Sequence, residues 1–242
     1  MRRTQGPDVD LSVYAKAVPL LLRNPAIVVV PLLMAVIGVL LALTMVSYGG
    51  GALGEITAQL TFFIVTLLKL FGLGAACIIA DDAWRHGRAS FENGWAEARS
   101  RGGDILFAAI GITLLLAVAQ YAGALLGPFT IVLMVAVIVF LIWAIPATAI
   151  GGVSGGASIQ VSIDRVRGAP LPAIIAAIVS VALVAIGAPI LSAYLGSWIP
   201  QLGGSIIAES LVTALLQGIA IGYVALILSK TYADAAFGTR RW

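Results

Sequence analysis

Lys69 stands alone near the middle of the apolar run 56–80, where a cation needs a reason to be. A charged side chain at the bilayer centre costs from about 2.5 kcal/mol on insertion scales to more than 10 kcal/mol in simulations. One reading is a pore or substrate site facing the bundle interior, with Gln120, Glu209 and Gln217 as further members of a transport path or intramembrane polar cluster. A second is quiet structural pairing, for which Glu209 is the only counter-charge within a span and Gln120 or Gln217 are alternatives. A third is snorkelling of the long stem toward an interface. Depth bears on the choice. Lys69 lies about 20 Å from the outer end of its span and Glu209 only about 6–8 Å from its own, at 1.5 Å per residue. A direct pair therefore needs shifted boundaries or a tilt.

The second group that could do chemistry is Asp81, Asp82 and His86, in the one long polar stretch of the chain, 81–104. Carboxylates and imidazole suit divalent ions, and Asp82 and His86 share a helix face at four-residue spacing. The pattern is nonspecific, and interfacial ion pairs are the expectation. Paired aspartates that work on diphosphates need a second acidic motif, and Asp164 and Asp234 are isolated. The glycine-rich run 151–156 lacks the lysine and strand of a phosphate loop, so it reads as a hinge. The expectation is no catalytic residue, no metal and no cofactor.

These residues sit in a chain that is 61% hydrophobic and 10% charged, with mean hydropathy +1.07. Soluble domains are roughly 45–50% apolar and about 25% charged, so a soluble fold is excluded. Several stretches exceed the roughly 20 apolar residues that cross a bilayer. The fold class expected is all-α: a single membrane domain over 1–242 with six transmembrane helices near 26–48, 56–80, 105–126, 129–150, 171–195 and 205–228. Short amphipathic helices are expected at 9–23, 89–101 and 158–167, with residues 1–8 as a tail. The arginines of the N-terminus precede no clean cleavable apolar segment, so it reads as retained. Cys77, the single cysteine, cannot form an intramolecular disulfide.

Thirteen of the 14 lysines and arginines fall in the N-terminal segment, the 81–104 stretch, the connection at Arg165 and Arg167, and the tail with Lys230, Arg240 and Arg241. The three opposite loops carry none. The positive-inside bias then places both termini in the cytoplasm of a multi-pass protein of the cell membrane. The partners expected are the lipid bilayer, anionic lipid headgroups at the cytoplasmic basic residues, and another copy or another membrane protein. Nucleic acid is not expected. Gly123…Gly127 and Gly218…Gly222 can bring helices close within the bundle or between subunits. Pro189 should kink the fifth span. Trp84, Trp95, Trp198 and Trp242 read as interfacial anchors.

The order amphipathic helix, basic residue, break, two spans occurs three times, which describes a possible threefold repeat of helical hairpins. On Ala89-Ser90, Ala98-Arg99-Ser100-Arg101, Asp104-Ile105-Leu106, Ala157-Ser158 and Arg165-Val166-Arg167, the chain resembles a broad group of six-helix prokaryotic membrane proteins. The group includes YciC-like proteins and resembles the membrane domain beside some glycerophosphodiester phosphodiesterases. The resemblance covers residues 9–228 and implies the membrane fold but no catalysis. Three functions follow in order of expectation. The first is a non-enzymatic structural or accessory component that assembles with itself or another complex. The second is a small-solute or ion transporter or channel near Lys69. The last is a membrane enzyme using Asp81, Asp82 and His86.

Overall fold

The computed structural model describes residues 10–46, 52–127, 129–198 and 206–238, and every regular element among them is helical. The N-terminal tail, the Gly49-Gly50-Gly51 break, Pro128, the outer loop around Pro200, and Arg240, Arg241 and Trp242 lie outside the described residues. Three short helices, α1 (Ser12–Arg23), α4 (Phe91–Ser100) and α8 (Gly155–Gly168), each precede two membrane-length segments. These are α2 (Ala26–Val46) and α3 (Ala52–His86), then α5 (Gly102–Leu126) and α6 (Phe129–Leu141) with its continuation α7 (Ala144–Ala149). The last two are α9 (Pro170–Val181), running through a π-helical turn into α10 (Ala188–Trp198), and α11 (Ile206–Phe237). Six segments among the described residues are long and apolar enough to cross a membrane. The all-α, six-span architecture is as expected.

Two spans run further than their apolar stretches. The second was expected to end at the Asp81-Asp82 step, yet α3 continues to His86. Side-chain contacts one turn apart carry it on, an ion pair of Asp81 with Arg85 at 2.6 Å and a hydrogen bond between Asp82 and His86 at 2.7 Å. Gly87 then stops it with φ +73°, donating its N–H to the Ala83 carbonyl. At 35 residues the helix is about 52 Å long, far beyond the roughly 30 Å of hydrocarbon. Its last turns therefore carry charge out of the apolar layer. The sixth span does the same: α11 passes 228 and reaches Phe237, with Lys230 paired to Asp234 at 2.7 Å.

Two spans are irregular. The fourth was expected to be continuous over 129–150, but it breaks at Ile142–Trp143. Pro146 has no N–H for the Ile142 carbonyl, and its ring crowds that oxygen. Ser162 of α8 bridges the break, accepting the Trp143 N–H at 3.2 Å and donating to the Phe140 carbonyl at 2.7 Å. In the fifth span the irregularity spreads ahead of Pro189, as the π-helical turn Ala182–Gly187.

The helices α2, α3 and α11 form the tightest-packed trio. Their closeness depends on small residues. A Cβ at Gly218 would stand 2.8 Å from the Leu32 Cα, and one at Gly222 would stand 3.0 Å from a Val28 methyl. Gly218…Gly222 therefore seats α11 on α2, inside the chain. Gly127, by contrast, is a turn residue with φ +59°. Overpacking costs about 1–3 kcal/mol, so Gly218→Val should lower the melting temperature of the reconstituted protein by several degrees. Gly103→Ala, where a Cβ meets open space, should leave it unchanged or raise it slightly. Circular dichroism melts of the two variants check both signs.

Candidate functional site

Lys69 lies near the middle of the apolar part of α3, in a run of Leu, Phe and β-branched residues that form helix because lipid and neighbours cover every face. Asp81 is twelve residues on, about 18 Å along the helix, farther than a four-carbon stem can reach. The side chain is partly buried, on the wall of a partly open cavity of about 260 Å³. Leu73 shares its helix; Ile112 and Leu116 of α5, Val184 of the fifth span and Ile221 of α11 close the other sides. Ile142, at the break in the fourth span, completes the wall. The cavity exists where two spans depart from regular helix, because a broken turn and a widened turn cannot both close on α3.

The wall is apolar apart from Lys69 and Ser180. The Ser180 hydroxyl already donates to its own Ala176 carbonyl at 2.7 Å. Lys69 makes no ion pair or side-chain hydrogen bond with any other described residue. The cavity is thus a hydrocarbon-like space with one lysine, unpaired among the described residues, on its wall.

The other sequence candidates do not join it. Glu209 is exposed in the first turn of α11, where a carboxylate suits the helix dipole, and lies over Gly196 of α10. Twelve residues, about 18 Å along α11, separate it from Ile221 on the cavity wall. Gln120, exposed on α5, is one turn outward of Leu116; Gln217, half-buried on α11, is one turn outward of Ile221. None of the three lines the cavity.

No protein-family model, curated protein or solved structure matches this chain. What the site can do rests on its own chemistry.

At the basic end, Asp81, Asp82, Arg85, His86, Glu97 and Arg101 surround a polar basin of about 370 Å³. Its charges are locked in pairs. Besides the two at the end of α3, Arg101 bonds Glu97 at 2.8 Å and donates to the Ala149 carbonyl at 2.7 Å. Asp82 also accepts the Ser90 N–H at 3.3 Å. No group of three or more potential metal ligands forms among the described residues. The 151–156 run is a joint: Gly152 takes φ +67°, and Gly155 starts α8 with its Cα against the Asp104 carbonyl, where a side chain has no room.

Two residues that sequence reasoning passed over organise this end. Asn24, just past the amphipathic helix expected at 9–23, has a buried side chain. It donates to the Leu20 and Gly87 carbonyls and accepts the Ala89 N–H at 2.8 Å, tying the α1–α2 joint to the α3–α4 joint. Trp143 is fully buried, with its indole N–H on the Thr231 hydroxyl at 3.2 Å. Trp84, read as an anchor, points inward and donates to the Leu226 carbonyl at 2.9 Å. An amide placed directly before a proline was the available signal for Asn24, since that geometry leaves carbonyls to be satisfied.

An uncompensated cation destabilises the bundle that holds it. Lys69→Met should therefore raise the unfolding midpoint of the empty protein in denaturant. A lower midpoint would show that Lys69 has a structural partner.

Proposed function

We propose that this chain is a non-enzymatic integral membrane protein that holds a small, apolar-bodied molecule inside its bundle, at mid-bilayer, in the cavity beside Lys69. The observation that carries this is the cavity itself, with Lys69 on its wall. Its volume of about 260 Å³ exceeds the roughly 150 Å³ that suffices for benzene in an apolar protein interior. Lining by aliphatic side chains with one convergent polar group is the usual make-up of a small-molecule site. A polar path through Lys69, Gln120, Glu209 and Gln217 has less support, because the last three stand away from the cavity wall.

The accessory role, assembly with another copy or another membrane protein, is favoured by a separate observation. Only 17% of the most apolar stretch of the fifth span is buried, against 50% for the sixth. That span carries a broad apolar face with Ile186, Ile190 and Tyr194 exposed. Kinship with the YciC-like group belongs to the same proposal and rests on patterning.

Native mass spectrometry of the protein in lipid nanodiscs, with n-decanol added, reads ligand occupancy and copy number together. Bound decanol should appear on the wild-type chain and raise its melting temperature by mass action. Val184→Phe, which fills the cavity, should remove both effects while the variant stays folded. An unchanged decanol response in Val184→Phe would sink the proposal.

The cell membrane, with both termini cytoplasmic, is the proposed setting. The placement of α1, α4 and α8 at the same end of the bundle as the basic residues supports it. With Cys77 buried inside the bundle, Ser90→Cys should react with a membrane-impermeant maleimide in inverted vesicles and not in intact cells. The reverse pattern would invert the orientation.

A further inference from the structure

We infer that the molecule held beside Lys69 is a medium-chain amphiphile with a single monovalent anionic head, a carboxylate, which enters sideways from the lipid. The inference rests on the proposed cavity function and specifies its ligand.

Charge fixes the head. Lys69 has no counter-charge among the described residues, and no second cation lines the cavity. One carboxylate makes a neutral pair in a low-dielectric space. A phosphate dianion would leave a net charge buried there, which is far more costly. Lys69 on the wall carries one ammonium with three donors, and two carboxylate oxygens can accept from it.

Shape fixes the body. Apart from Ser180, whose hydroxyl donates to the Ala176 carbonyl, the remaining wall is aliphatic, so it suits hydrocarbon. A partly open space of about 260 Å³, less than twice the roughly 150 Å³ that holds benzene, fits one chain of moderate length better than the two chains of a membrane lipid.

The fifth span fixes the route. Its π-helical turn is a wall one helix thick between two apolar spaces. Val184 and Ala185 face the Lys69 cavity. Ala182, Leu183 and Gly187 face a larger apolar groove of about 940 Å³, bounded by α1 and α11. That groove lies along the least buried of the six spans. A chain dissolved in the bilayer thus meets the wall without crossing water, and the widened turn is where this span is least regular.

The test is binding of sodium decanoate and n-decanol, which share a chain length, by native mass spectrometry to nanodisc-embedded wild type, Lys69→Met and Lys69→Arg. Decanoate should bind the wild type at least tenfold more tightly than decanol. Lys69→Met should abolish that preference while still binding decanol, and Lys69→Arg should restore it. Equal binding of decanoate and decanol to the wild type would overturn the anion assignment and leave the apolar cavity reading intact. Failure of both to bind would overturn the two together. Hexadecanoate binding as tightly as decanoate would overturn the size limit.

Discussion

Backbone amides and carbonyls inside hydrocarbon have no water to bond, so every departure from regular helix needs an internal partner. This constraint governs the architecture. Asn24 supplies three bonds at the joint between the first surface helix and the first span. Ser162 supplies two at the break in the fourth. Arg101 reaches the Ala149 carbonyl where the short helix α7 ends. Each device comes from a different element than the gap it fills, or ties two elements together. Satisfying the backbone and fixing the tertiary packing are therefore the same event.

The devices cluster at the basic end. There Trp84 and Cys77 of α3 also reach the Leu226 and Ala225 carbonyls of α11. Alanines and glycines let α2, α3 and α11 approach closely, and the packing forms one rigid base. Toward mid-bilayer the restraint weakens. The fifth span contributes little buried surface and widens into a π-helical turn. A cavity opens between the rigid trio and this loosely held wall, and Lys69 stands on it. The lysine that has no partner among the described residues is thus found where the bundle is least closed.

The densest charge in the sequence has a different character. Arg85, Arg101 and His86 each hold a carboxylate one turn away on their own helix, and Lys230 holds Asp234 in the same manner. These pairs extend helices beyond the apolar layer and anchor the joints between hairpins. Lys16, Arg23 and Arg88, by contrast, are exposed to solvent. Charge density and chemical readiness are separate properties here, since paired charges at an interface are already compensated.

Much of this was legible in residue order. Apolar runs longer than a bilayer, the one-sided distribution of arginine and lysine, and the three amphipathic stretches determined a six-span, all-helical chain. They did so because hydropathy and helical periodicity are local properties of sequence. Lys69 was conspicuous for the same reason, as a charge where the local average forbids one. Tertiary structure alone decided what surrounds it. Gln120 and Gln217 fall one turn from the cavity and Glu209 far along its helix, because rotation and register between helices depend on packing at distant glycines. The reach of α3 and α11 past their apolar ends came from i, i+4 pairs that outweigh the loss of hydropathy. The break at Trp143 needed Ser162, nineteen residues away, so its position was a property of the folded bundle and not of the run that contains it.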